Sequence, residues 1–425
     1  MERTLIKDLQ DNLDKEVLLK GWIQDVRNLS KIKFIILRDR TGDMQTIALK
    51  AKTDADSFEA IDNITNESVV EIVGTPKQNK ESKWGIEIVI KSVRIIAKAA
   101  APLPIDTSEK SKTLLDKRLD YRFLDLHSKR TQNIFRVQAA IMKAFREFMD
   151  QEGAMEVILP SIIGASSEGG TDLFTVQYFE KHAFLSQSCQ LYKQMLACSM
   201  EKVYSVFTTW RAEKHNTIRH LNEARQFDYE EAFADDKKAM EVLGRCMQYI
   251  VHEVLDKNQK ELKYLNVKLK VPEIKYITFK EVNRLLKKEG VETSEVDLSG
   301  EAERKIGELF PDTIVFVHDW PLDGKPFYIL PEGKSLSRGF DAIWKGMEIS
   351  SGGQRVHDPE ILKKRLTVKG LELPAFKDYI ESFRYGAPPH AGWGLGVERV
   401  TMLMLGLNNI REAVLFPRDR DRLTP

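Results

Sequence analysis

The chain of 425 residues is longer than one ordinary domain, and its 42% hydrophobic and 30% charged residues are typical of a folded protein rather than a disordered or fibrous one. Its 65 basic and 64 acidic residues nearly cancel, so a nucleic-acid partner would have to be held by local basic patches. Three cysteines without metal-ligand spacing argue against disulfides and zinc, and the lack of a long apolar run predicts a cytoplasmic protein with neither signal peptide nor membrane span.

The first predicted domain, residues 1–103, consists of short strands. Alternating or continuous apolar runs occur at VLLKGWI, FIILRD, MQTIAL, SVVEIVG and GIEIVIKSVRII, with a turn signal at residues 41–43. Five antiparallel strands in a segment of this length are typical of an OB-fold barrel, which commonly binds oligonucleotides. Composition alone also allows other small barrels.

Residues 104–130 are predicted to form a linker, because the segment APLPIDTSEKSK combines two prolines with a run of polar and charged residues. The remaining residues, 131–425, are predicted to form an α+β domain. Apolar residues recur at helical spacing within residues 134–148 and again within residues 237–257, which predicts two helices. Between them, Pro160 lacks the backbone N–H that a central strand needs, so the run MEVILPSII suits an edge strand or a subunit boundary.

Three later segments contain charged residues within otherwise apolar stretches of sequence. If such charges are buried, they must be compensated by a ligand or by each other. The first segment, WRAEKHNTIRHLNEARQFDYEEAF, carries Arg211, Arg219 and His220. Since a guanidinium group binds phosphate oxygens through two parallel bonds, paired arginines on a strand–loop–strand hairpin suit a polyphosphate. The segment alone is equally consistent with a surface hairpin that carries ion pairs.

The second segment, SRGFDAIWKGMEISSGGQR, offers Asp341 and Glu348 as oxygen ligands for Mg²⁺ if they converge on a hairpin, although two such acids are usually only solvated.

The third segment, GWGLGVERVTMLML, contains spaced glycines ahead of Glu398 and Arg399. A dinucleotide-binding loop is excluded because no βαβ unit surrounds these glycines. They are predicted instead to let a strand pack against a helix that begins near Glu398, with Arg399 directed at a bound anion.

These segments resemble, in order, the signature motifs of the class II aminoacyl-tRNA synthetases. The run ending at Pro160 resembles the first motif, residues 210–213 (WRAE) the second and residues 394–399 (GLGVER) the third. With the N-terminal barrel they resemble the subgroup that charges aspartate, asparagine and lysine, and the tracts KHNTIRHLNEA and EISSGGQR are similar to the archaeal aspartate-specific pattern. The resemblance implies an OB-fold domain that binds the anticodon, a catalytic domain with an antiparallel sheet flanked by helices, and a homodimer formed through the first motif.

The resemblance also implies a reaction and its ATP site. ATP would activate L-aspartate to aspartyl-adenylate, and the aspartyl group would pass to the 3′ end of tRNA-Asp, with tRNA-Asn left open as a second acceptor. The catalytic residues would be Arg211, Glu213 and Arg399. The ATP-binding residues would be Arg211, Glu213, Arg219, His220, Leu221, Glu348, Gly396, Glu398 and Arg399. The Mg²⁺ ligands would be Asp341, Glu348 and Ser351. The aromatic residue that covers adenine in the family is missing, because Ala224 follows Glu223.

For the amino-acid pocket, the resemblance implies that Lys193 and Arg355 are two cations that meet the substrate β-carboxylate, since a buried carboxylate needs fixed positive charge. The residues expected to bind aspartate are Glu168, Ser188, Gln190, Lys193, Arg211, Asp228, Ser351 and Arg355. Glu168 resembles the acid of a loop that closes over the substrate. The alternatives are that Lys193 is an exposed helix lysine and that Glu168 is an ordinary loop acid.

In the barrel, Phe34 stands among basic residues, and a stacking ring with local cations is a combination that single-stranded bases favour. The cations are Lys31, Lys33, Arg38 and Arg40. The alternative is a core phenylalanine beside a solvated basic edge. The resemblance favours the first interpretation, because it assigns anticodon contacts to Arg27, Phe34 and Gln45.

Three competing functions depend on single features of the sequence. An asparaginyl enzyme is expected to carry an acid at position 193, where this chain has Lys193. A non-catalytic, synthetase-like RNA binder is expected to have lost Arg211, Glu348 or Arg399, and all three are present. A synthetase-like enzyme that forms amides without tRNA does not require the N-terminal barrel.

Overall fold

The computed structural model describes residues 1–108, 110–164 and 172–425, and the chain divides into two compact units, Met1–Leu114 and Leu115–Pro425. The strands of the first unit are β1 (Val17–Asn28), β2 (Ile32–Asp39), β3 (Gly42–Leu49), β4 (Val69–Gln78) and β5 (Ile86–Ala97), with helix α1 (Ala55–Ala60) between β3 and β4. They form a closed barrel in the order β1-β2-β3-β5-β4. Along β5, Ile86, Ile88 and Ile90 are buried while the residues between them are partly exposed, which is the period of two expected when one face of a strand lines a core.

The second unit begins with three helices, α2 (Leu115–Asp120), α3 (Arg122–Asp125) and α4 (Lys129–Gln151). The elements that follow are β6 (Met155–Glu156), β7 (Ile162–Ile163), β8 (Thr175–Tyr178), β9 (Lys181–Leu185), α5 (Gln190–Met200), β10 (Lys202–Trp210), β11 (Glu223–Ala232), α6 (Asp236–Lys257) and α7 (Gln259–Tyr264). The remainder comprises β12 (Glu273–Thr278), α8 (Phe279–Lys288), α9 (Gly300–Leu309), β13 (Thr313–His318), β14 (Pro331–Glu332), β15 (Leu336–Ser337), β16 (Gly339–Trp344), β17 (Met347–Gln354), α10 (Pro359–Val368), α11 (Lys377–Phe383), β18 (His390–Gly396) and α12 (Val397–Leu405).

The second unit is built on an eight-stranded sheet in the order β12-β13-β16-β17-β18-β11-β10-β6. Every neighbouring pair from β13 to β10 is antiparallel, whereas β12 runs parallel to β13 and β6 runs parallel to β10. The predicted α+β class with an N-terminal OB barrel is therefore confirmed. The sheet differs from the predicted antiparallel one at its two edges.

The two predicted helices, α4 and α6, pack against each other and contribute to the main core of the second unit. Each begins at a side chain that accepts a hydrogen bond from a free backbone N–H of the first turn, Ser128 from Thr131 and Asp235 from Lys238. The ring of Phe145 on α4 stacks on that of Phe227 on β11, with ring centroids 3.9 Å apart. This packing fixes β11, which carries much of the site described below, against the core.

The apolar run with Pro160 lies at the edge of the sheet, as the missing backbone donor predicts. Strand β6 is the last strand of the sheet, and Pro160 lies outside any strand, between β6 and β7. Ile158 is 99% exposed. No helix in the described ranges has both the length and the apolar composition required to span a bilayer.

Candidate active site

A cavity of about 400 Å³ lies in the second unit, where the three charged segments of the sequence meet. Its walls are the β10–β11 hairpin with the connecting loop 211–222, the β16–β17 hairpin, and the junction of β18 with α12. The predicted ATP, aspartate and Mg²⁺ residues that line it are Ser188, Gln190, Arg211, Glu213, Arg219, His220, Leu221, Asp228, Asp341, Glu348, Ser351, Arg355, Gly396, Glu398 and Arg399. Lys193 does not line the cavity, and Glu168 lies outside the described residues.

The glycines of β18 make room for side chains of the neighbouring strand β11. A Cβ atom on Gly394 would lie 2.7 Å from Nε2 of Gln226 and 3.3 Å from Oδ1 of Asp228, and one on Gly392 would lie 2.3 Å from Oε2 of Glu230. These distances are too short for any larger residue at either position. Gly392 and Gly394 therefore make room for polar side chains of β11, which differs from the predicted role in packing a strand against a helix. Gly396 lies beside that helix, since a Cβ atom there would lie 3.6 Å from the side chain of Arg399.

One end of the cavity is rich in cations. Arg211 lies directly after β10, with Nη1 3.9 Å from Oε1 of Glu213. Arg219, at the far end of the loop, has Nη1 3.5 Å from Oε2 of Glu303 on α9. Arg399 comes from the first turn of α12, and all three arginine side chains are partly exposed to the cavity. Guanidinium groups that converge in this way are suited to bind several phosphate oxygens.

His220 lies at the same end of the cavity. Unlike Arg211 and Arg219 on the same loop, it does not carry a fixed positive charge. Partial burial lowers the pKa of its imidazole; Glu213 opposes the shift, while Arg399 and His215 reinforce it. Its Nδ1 lies 2.6 Å from Oγ1 of Thr217. His220 is therefore mainly neutral at pH 7 and acts as a hydrogen-bonding group.

Acidic side chains gather beside these cations on the β16–β17 hairpin. Loss of hydration among the surrounding protein atoms and the nearby charge of Asp341 together raise the pKa of Glu348 to about 7, although Arg399 and Lys325 oppose the rise. The side chain of Glu348 lines the cavity and is 38% exposed. Nη1 of Arg399 donates to the backbone oxygen of Glu348 at 2.9 Å, and Nζ of Lys325 donates to Oδ2 of Asp341 at 2.5 Å.

These oxygen atoms fit Mg²⁺. Oδ1 of Asp341 is buried and has no hydrogen-bond partner among the described residues, and Ser351 is the cross-strand neighbour of Asp341. Within the described ranges, no group of three histidine, cysteine, aspartate or glutamate side chains could hold a metal by itself. Mg²⁺ is usually held by one or two carboxylates together with substrate phosphates, so Asp341 and Glu348 match a site that ATP completes.

The other end of the cavity contains a buried ion pair between Arg355 and Glu230. Nε and Nη2 of Arg355 donate to the two carboxylate oxygens of Glu230 at 2.8 and 3.1 Å, and the two side chains are 2% and 0% exposed. Burial alone would raise the pKa of Glu230, but Arg355 and Lys193 more than offset it, so the pKa lies below its ordinary value. Nη1 of Arg355 has no acceptor in the described part of the chain and remains free to bind a ligand at the cavity wall.

Lys193 is buried beneath this end of the cavity. Its Nζ donates to Oδ1 of Asp228 at 2.9 Å, to the backbone oxygen of Trp393 at 2.9 Å and to that of Tyr229 at 3.4 Å. Because its side chain is only 2% exposed, the alternative of an exposed helix lysine is wrong. The geometry also differs from the expected direct contact with a substrate carboxylate, since all three N–H groups of Lys193 are engaged. Its charge is matched by Asp228, as that of Arg355 is matched by Glu230.

The buried polar atoms that lack partners among the described residues include Oδ2 of Asp228 and Nε2 of Gln190 at this end. Both residues line the cavity, and Oγ of Ser188 accepts from the backbone N–H of Gln190 at 3.1 Å. A carboxylate oxygen is an acceptor for an ammonium group, and an amide nitrogen is a donor for a carboxylate. The pair is therefore suited to the two polar groups of an α-amino acid.

The remaining wall of the cavity is apolar. It is lined by Leu221, Ala224, Ile349 and Ile410. Glu398 borders this wall but is only 2% exposed, and its Oε2 accepts from the backbone N–H of Arg225 at 3.0 Å. Burial raises the pKa of Glu398 to about 7, and Arg225 opposes the shift. Glu398 thus holds the end of β11, and the wall beside Ala224 carries no aromatic ring.

In the first unit, a second cavity of about 870 Å³ is lined by the three predicted anticodon residues, Arg27, Phe34 and Gln45, together with Trp84. Arg27 on β1 lies opposite Phe34 on β2. Gln45 on β3 lies opposite Ile36 on β2, which also lines this cavity. Phe34 is half-buried and does not belong to the barrel core, so the core alternative is wrong. We call this cavity the barrel groove.

Two of the basic residues expected beside Phe34, Lys33 and Arg38, form ion pairs within the barrel instead. Lys33 is 4% exposed, and its Nζ donates to the backbone oxygen of Phe58 at 2.5 Å and lies 2.8 Å from Oδ1 of Asp62. Arg38 is 7% exposed and pairs with Glu67 at 3.0 Å. The prediction that these two side chains face single-stranded bases is wrong, because both are buried in ion pairs of the barrel.

Comparison with known proteins identifies the family. Residues 115–420 match the family model described as tRNA synthetases class II (D, K and N), and residues 17–96 match the OB-fold nucleic acid binding domain. The chain belongs to the class II tRNA synthetases. An aspartate–tRNA(Asp/Asn) ligase of Archaeoglobus fulgidus is 43% identical over 100% of both chains, and an aspartate–tRNA(Asp) ligase of Thermoplasma volcanium is 42% identical over 100% of both chains. The crystal structure of an asparaginyl-tRNA synthetase from Pyrococcus horikoshii with asparaginyl-adenylate is similar with a TM-score of 0.95 at 30% identity, covering 100% of both chains.

Sequence reasoning missed two charged residues that line the cavity of this synthetase, Arg225 and Lys325, and two that contact lining residues from behind, Glu230 and Glu303. Glu230 could have been found, because it follows Asp228 by two positions on a strand and so faces the same side of the sheet. Glu303 and Lys325 lie on α9 and in the segment after β13, far in sequence from the three motifs. Only folding brings them to Glu348 and Asp341.

Proposed function

We propose that the protein is an aspartate–tRNA ligase that activates L-aspartate with ATP and transfers it to tRNA-Asp and, as the name of the Archaeoglobus relative states for that enzyme, to tRNA-Asn. The observation that carries this proposal is the division of one cavity into a cationic end beside two acids and a buried end with Arg355, Asp228 and Gln190. The first end suits Mg²⁺ and a triphosphate, and the second suits an amino acid with an acidic side chain. The full-length aspartate-specific relatives support the choice of substrate.

In the proposed complex, Nη1 of Arg355 binds the β-carboxylate of aspartate and Oδ2 of Asp228 accepts from its α-ammonium group. Lys193 acts on the substrate through Asp228, which it holds at 2.9 Å. Gln190, Ser188 and Ser351 border the bound amino acid, and Glu168 closes over it. Because the charges of Lys193, Arg355, Asp228 and Glu230 cancel, selection of a carboxylate depends on the direction of free N–H groups rather than on surplus positive charge.

The reaction joins the α-carboxylate of aspartate to the α-phosphorus of ATP, and the bond to pyrophosphate breaks in line. Arg211 stabilises the charge on the α-phosphate and Glu213 binds the adenine edge, which lies against the apolar wall at Leu221 and Ala224. Arg219, His220 and Arg399 hold the β- and γ-phosphates, beside Gly396. A ribose hydroxyl of the tRNA 3′ end then attacks the carbonyl carbon of the adenylate; an ester bond forms, the bond from that carbon to the phosphate oxygen breaks, and AMP and a proton leave. Positioning and charge stabilisation account for such a reaction without an assigned general base.

Asp341, Glu348 and Ser351 would hold Mg²⁺, which when bound neutralises charge on the phosphates. Replacing Glu348 with glutamine keeps the shape of the side chain and removes its charge. We expect adenylate formation to slow and the Mg²⁺ concentration that gives half-maximal activity to rise, with partial recovery at high Mg²⁺. Aspartate-dependent ATP–pyrophosphate exchange across a Mg²⁺ titration measures both. A Glu360→Gln variant, which changes an exposed glutamate on α10, is the control, and an unchanged titration in Glu348→Gln would remove Glu348 from the metal site.

The barrel groove is proposed to bind the anticodon, with Phe34 stacking on a base and Arg27 and Gln45 beside it. Replacing Phe34 with alanine is expected to weaken tRNA charging by loss of about 1 to 3 kcal/mol of stacking. Aspartate-dependent pyrophosphate exchange should barely change, since the groove and the cavity belong to different units. The two assays on one preparation are the test. Loss of exchange in a folded Phe34→Ala protein would mean that Phe34 supports the fold rather than RNA binding.

The protein is further proposed to form a homodimer through the edge of the sheet at β6. Met155, Ile158 and Ile162 are 55%, 99% and 46% exposed, an apolar set that a partner subunit would cover. Among the described residues, no strand pairs with the outer side of β6, the last strand of the eight-stranded sheet. This support is independent of the cavity and of the barrel groove.

Pyrophosphate exchange with aspartate and asparagine in turn, followed by charging of purified tRNA-Asp and tRNA-Asn, tests the proposed function. We expect exchange with aspartate to be much faster than exchange with asparagine, and charging of both tRNAs. Preference for asparagine would favour an asparaginyl enzyme, to which the similarity with the Pyrococcus structure also points. Lack of exchange with either amino acid would indicate a non-catalytic protein.

A further inference from the structure

The loop 211–222 carries several of the groups proposed to bind ATP. Its own hydrogen bonds join Asn222 to residues 211 and 213, and Thr217 to residues 219 and 220, but they do not reach residues 214–216. Glu213, Arg219 and His220 lie on it, and residues 214–218 are exposed and form no regular structure. Ordering such a segment costs backbone conformational entropy at every residue that is fixed. Contacts from elsewhere in the fold must therefore hold the loop if its side chains are to stand ready for a ligand.

These contacts come from the segment 409–422, which we call the C-terminal strap. The backbone N–H of Asn222 donates to the backbone oxygen of Arg418 at 2.9 Å. Nη1 of Arg420 donates to the backbone oxygen of Lys214 at 3.1 Å. The strap thus bonds to the loop near both ends, and neither bond involves a ligand.

Arg411 is the centre of the strap. Its Nη1 donates to the backbone oxygen of Thr217 at 3.0 Å and its Nη2 donates to Oδ1 of Asn216 at 2.5 Å, at the exposed tip of the loop. Its Nε donates to Oδ2 of Asp419 at 2.5 Å, and the two side chains are 8% and 6% exposed. A guanidinium group fixed by a buried carboxylate can present its other N–H groups in one direction, because the group is planar and rigid.

Asp419 is itself held in place. Its Oδ1 accepts from the backbone N–H groups of Asp421 and Arg422, both at 2.9 Å. The carboxylate of Asp421 in turn accepts from Nδ2 of Asn216, so this loop side chain is bonded on both sides by the strap. The strap therefore forms a closed hydrogen-bonded network around Asn216.

We propose that Arg411, fixed by Asp419, is a positioning residue that holds the ATP-facing loop through Asn216 and Thr217. Arg411 does not touch ATP in this arrangement; it acts by keeping Arg219 and His220 in place before ATP arrives. The inference rests on the proposed function, because it takes the loop to be part of the ATP site. It predicts that loss of the bonds from Arg411 to Asn216 and Thr217 weakens the use of ATP and leaves the amino-acid end of the cavity unaffected.

Replacing Asn216 with alanine is the sharpest test, because Asn216 is exposed and the change leaves the Arg411–Asp419 pair intact. We expect the KM for ATP in pyrophosphate exchange to rise about three- to tenfold, as for loss of one or two hydrogen bonds that order a loop. The KM for aspartate and kcat should stay within about twofold of wild type. The Tm should not change, since the fold does not depend on an exposed side chain.

Arg411→Lys supplies a second variant, because lysine keeps the charge beside Asp419 but cannot bond to Asn216 and Thr217 together. We expect a comparable rise in the KM for ATP, and a combined rise smaller than the product of the two single effects when Asn216→Ala is added, since the two changes share the contact between Arg411 and Asn216. Arg122→Lys is the matched control. Arg122 is also a buried arginine paired with an aspartate, and it bonds to the backbone oxygens of Val414 and Leu415 rather than to the loop. It should lower the Tm without changing the KM for ATP.

The outcomes separate the two proposals. If wild type shows no aspartate-dependent exchange, the proposed function fails. If wild type is active and the KM for ATP is unchanged in Asn216→Ala, the positioning role of Arg411 is overturned and the proposed function stands. A rise in the KM for ATP in Arg122→Lys equal to that in Arg411→Lys would also overturn it, because the effect would then come from general loosening of the C-terminal segment.

Discussion

Replacing Arg355 with methionine is expected to lower kcat/KM for aspartate in pyrophosphate exchange by about two to three orders of magnitude. Arg355 is 2% exposed and proposed to bind the β-carboxylate through its free Nη1 group. Breaking one arm of a buried charge cluster costs about 3 to 5 kcal/mol, and each ~1.4 kcal/mol corresponds to a tenfold change in rate. The KM for ATP should change little, because the phosphates are held at the other end of the cavity.

The specificity ratio separates this effect from simple loss of folded protein. Unfolding lowers the activity with aspartate and asparagine by the same factor, whereas loss of a carboxylate contact lowers only the activity with aspartate. Glu230→Gln is the matched variant, since it keeps a hydrogen-bonding side chain beside Arg355 and removes the charge; we expect a smaller fall, of about tenfold. If Arg355→Met retains the wild-type preference for aspartate over asparagine, the assignment of Arg355 is wrong.

Replacing Lys193 with methionine is expected to lower both the stability of the protein and aspartate activation, the latter by about two to three orders of magnitude. Lys193 is the cation closest to Asp228, and both side chains are 2% exposed, so its removal leaves a buried carboxylate without compensation. Asp228 would then turn away or take up a proton, and the contact proposed for the α-ammonium group would be lost. Thermal unfolding and pyrophosphate exchange at several aspartate concentrations measure the two effects.

Lys33→Met controls for the loss of a buried lysine as such. Lys33 is 4% exposed and lies 2.8 Å from Asp62 in the first unit, so its replacement should lower the Tm without changing the KM for aspartate. Full aspartate activation by a folded Lys193→Met protein would show that Asp228 does not need Lys193. The proposed route from Lys193 to the substrate would then have to be abandoned.

Particular residues show how much of the fold and of the candidate site could be predicted from the sequence. The spacing of apolar residues in α4, α6 and the barrel strands predicted those elements, because one face of each must be buried. The three charged segments predicted the cavity, and nearly all of their candidate residues line it. By contrast, Lys33 and Arg38 were expected to face RNA and are buried in ion pairs. The sequence does not distinguish a basic strand residue that faces water or RNA from one that pairs with a carboxylate distant along the chain.

The sequence by itself indicated the family through motifs that resemble known ones. It also predicted the α+β class with an OB barrel and a set of candidate residues for the chemistry, because these predictions depend on periodicity and on residue types at fixed local spacing. Only the tertiary structure decided which charges are already matched. Glu230 bonds to Arg355, Lys325 to Asp341 and Arg411 to Asn216, each across a separation of sixteen residues or more. The physical reason is that the charge a buried group can offer a ligand depends on its neighbours in space, and chain folding brings those neighbours from segments whose order along the sequence carries no signal of contact.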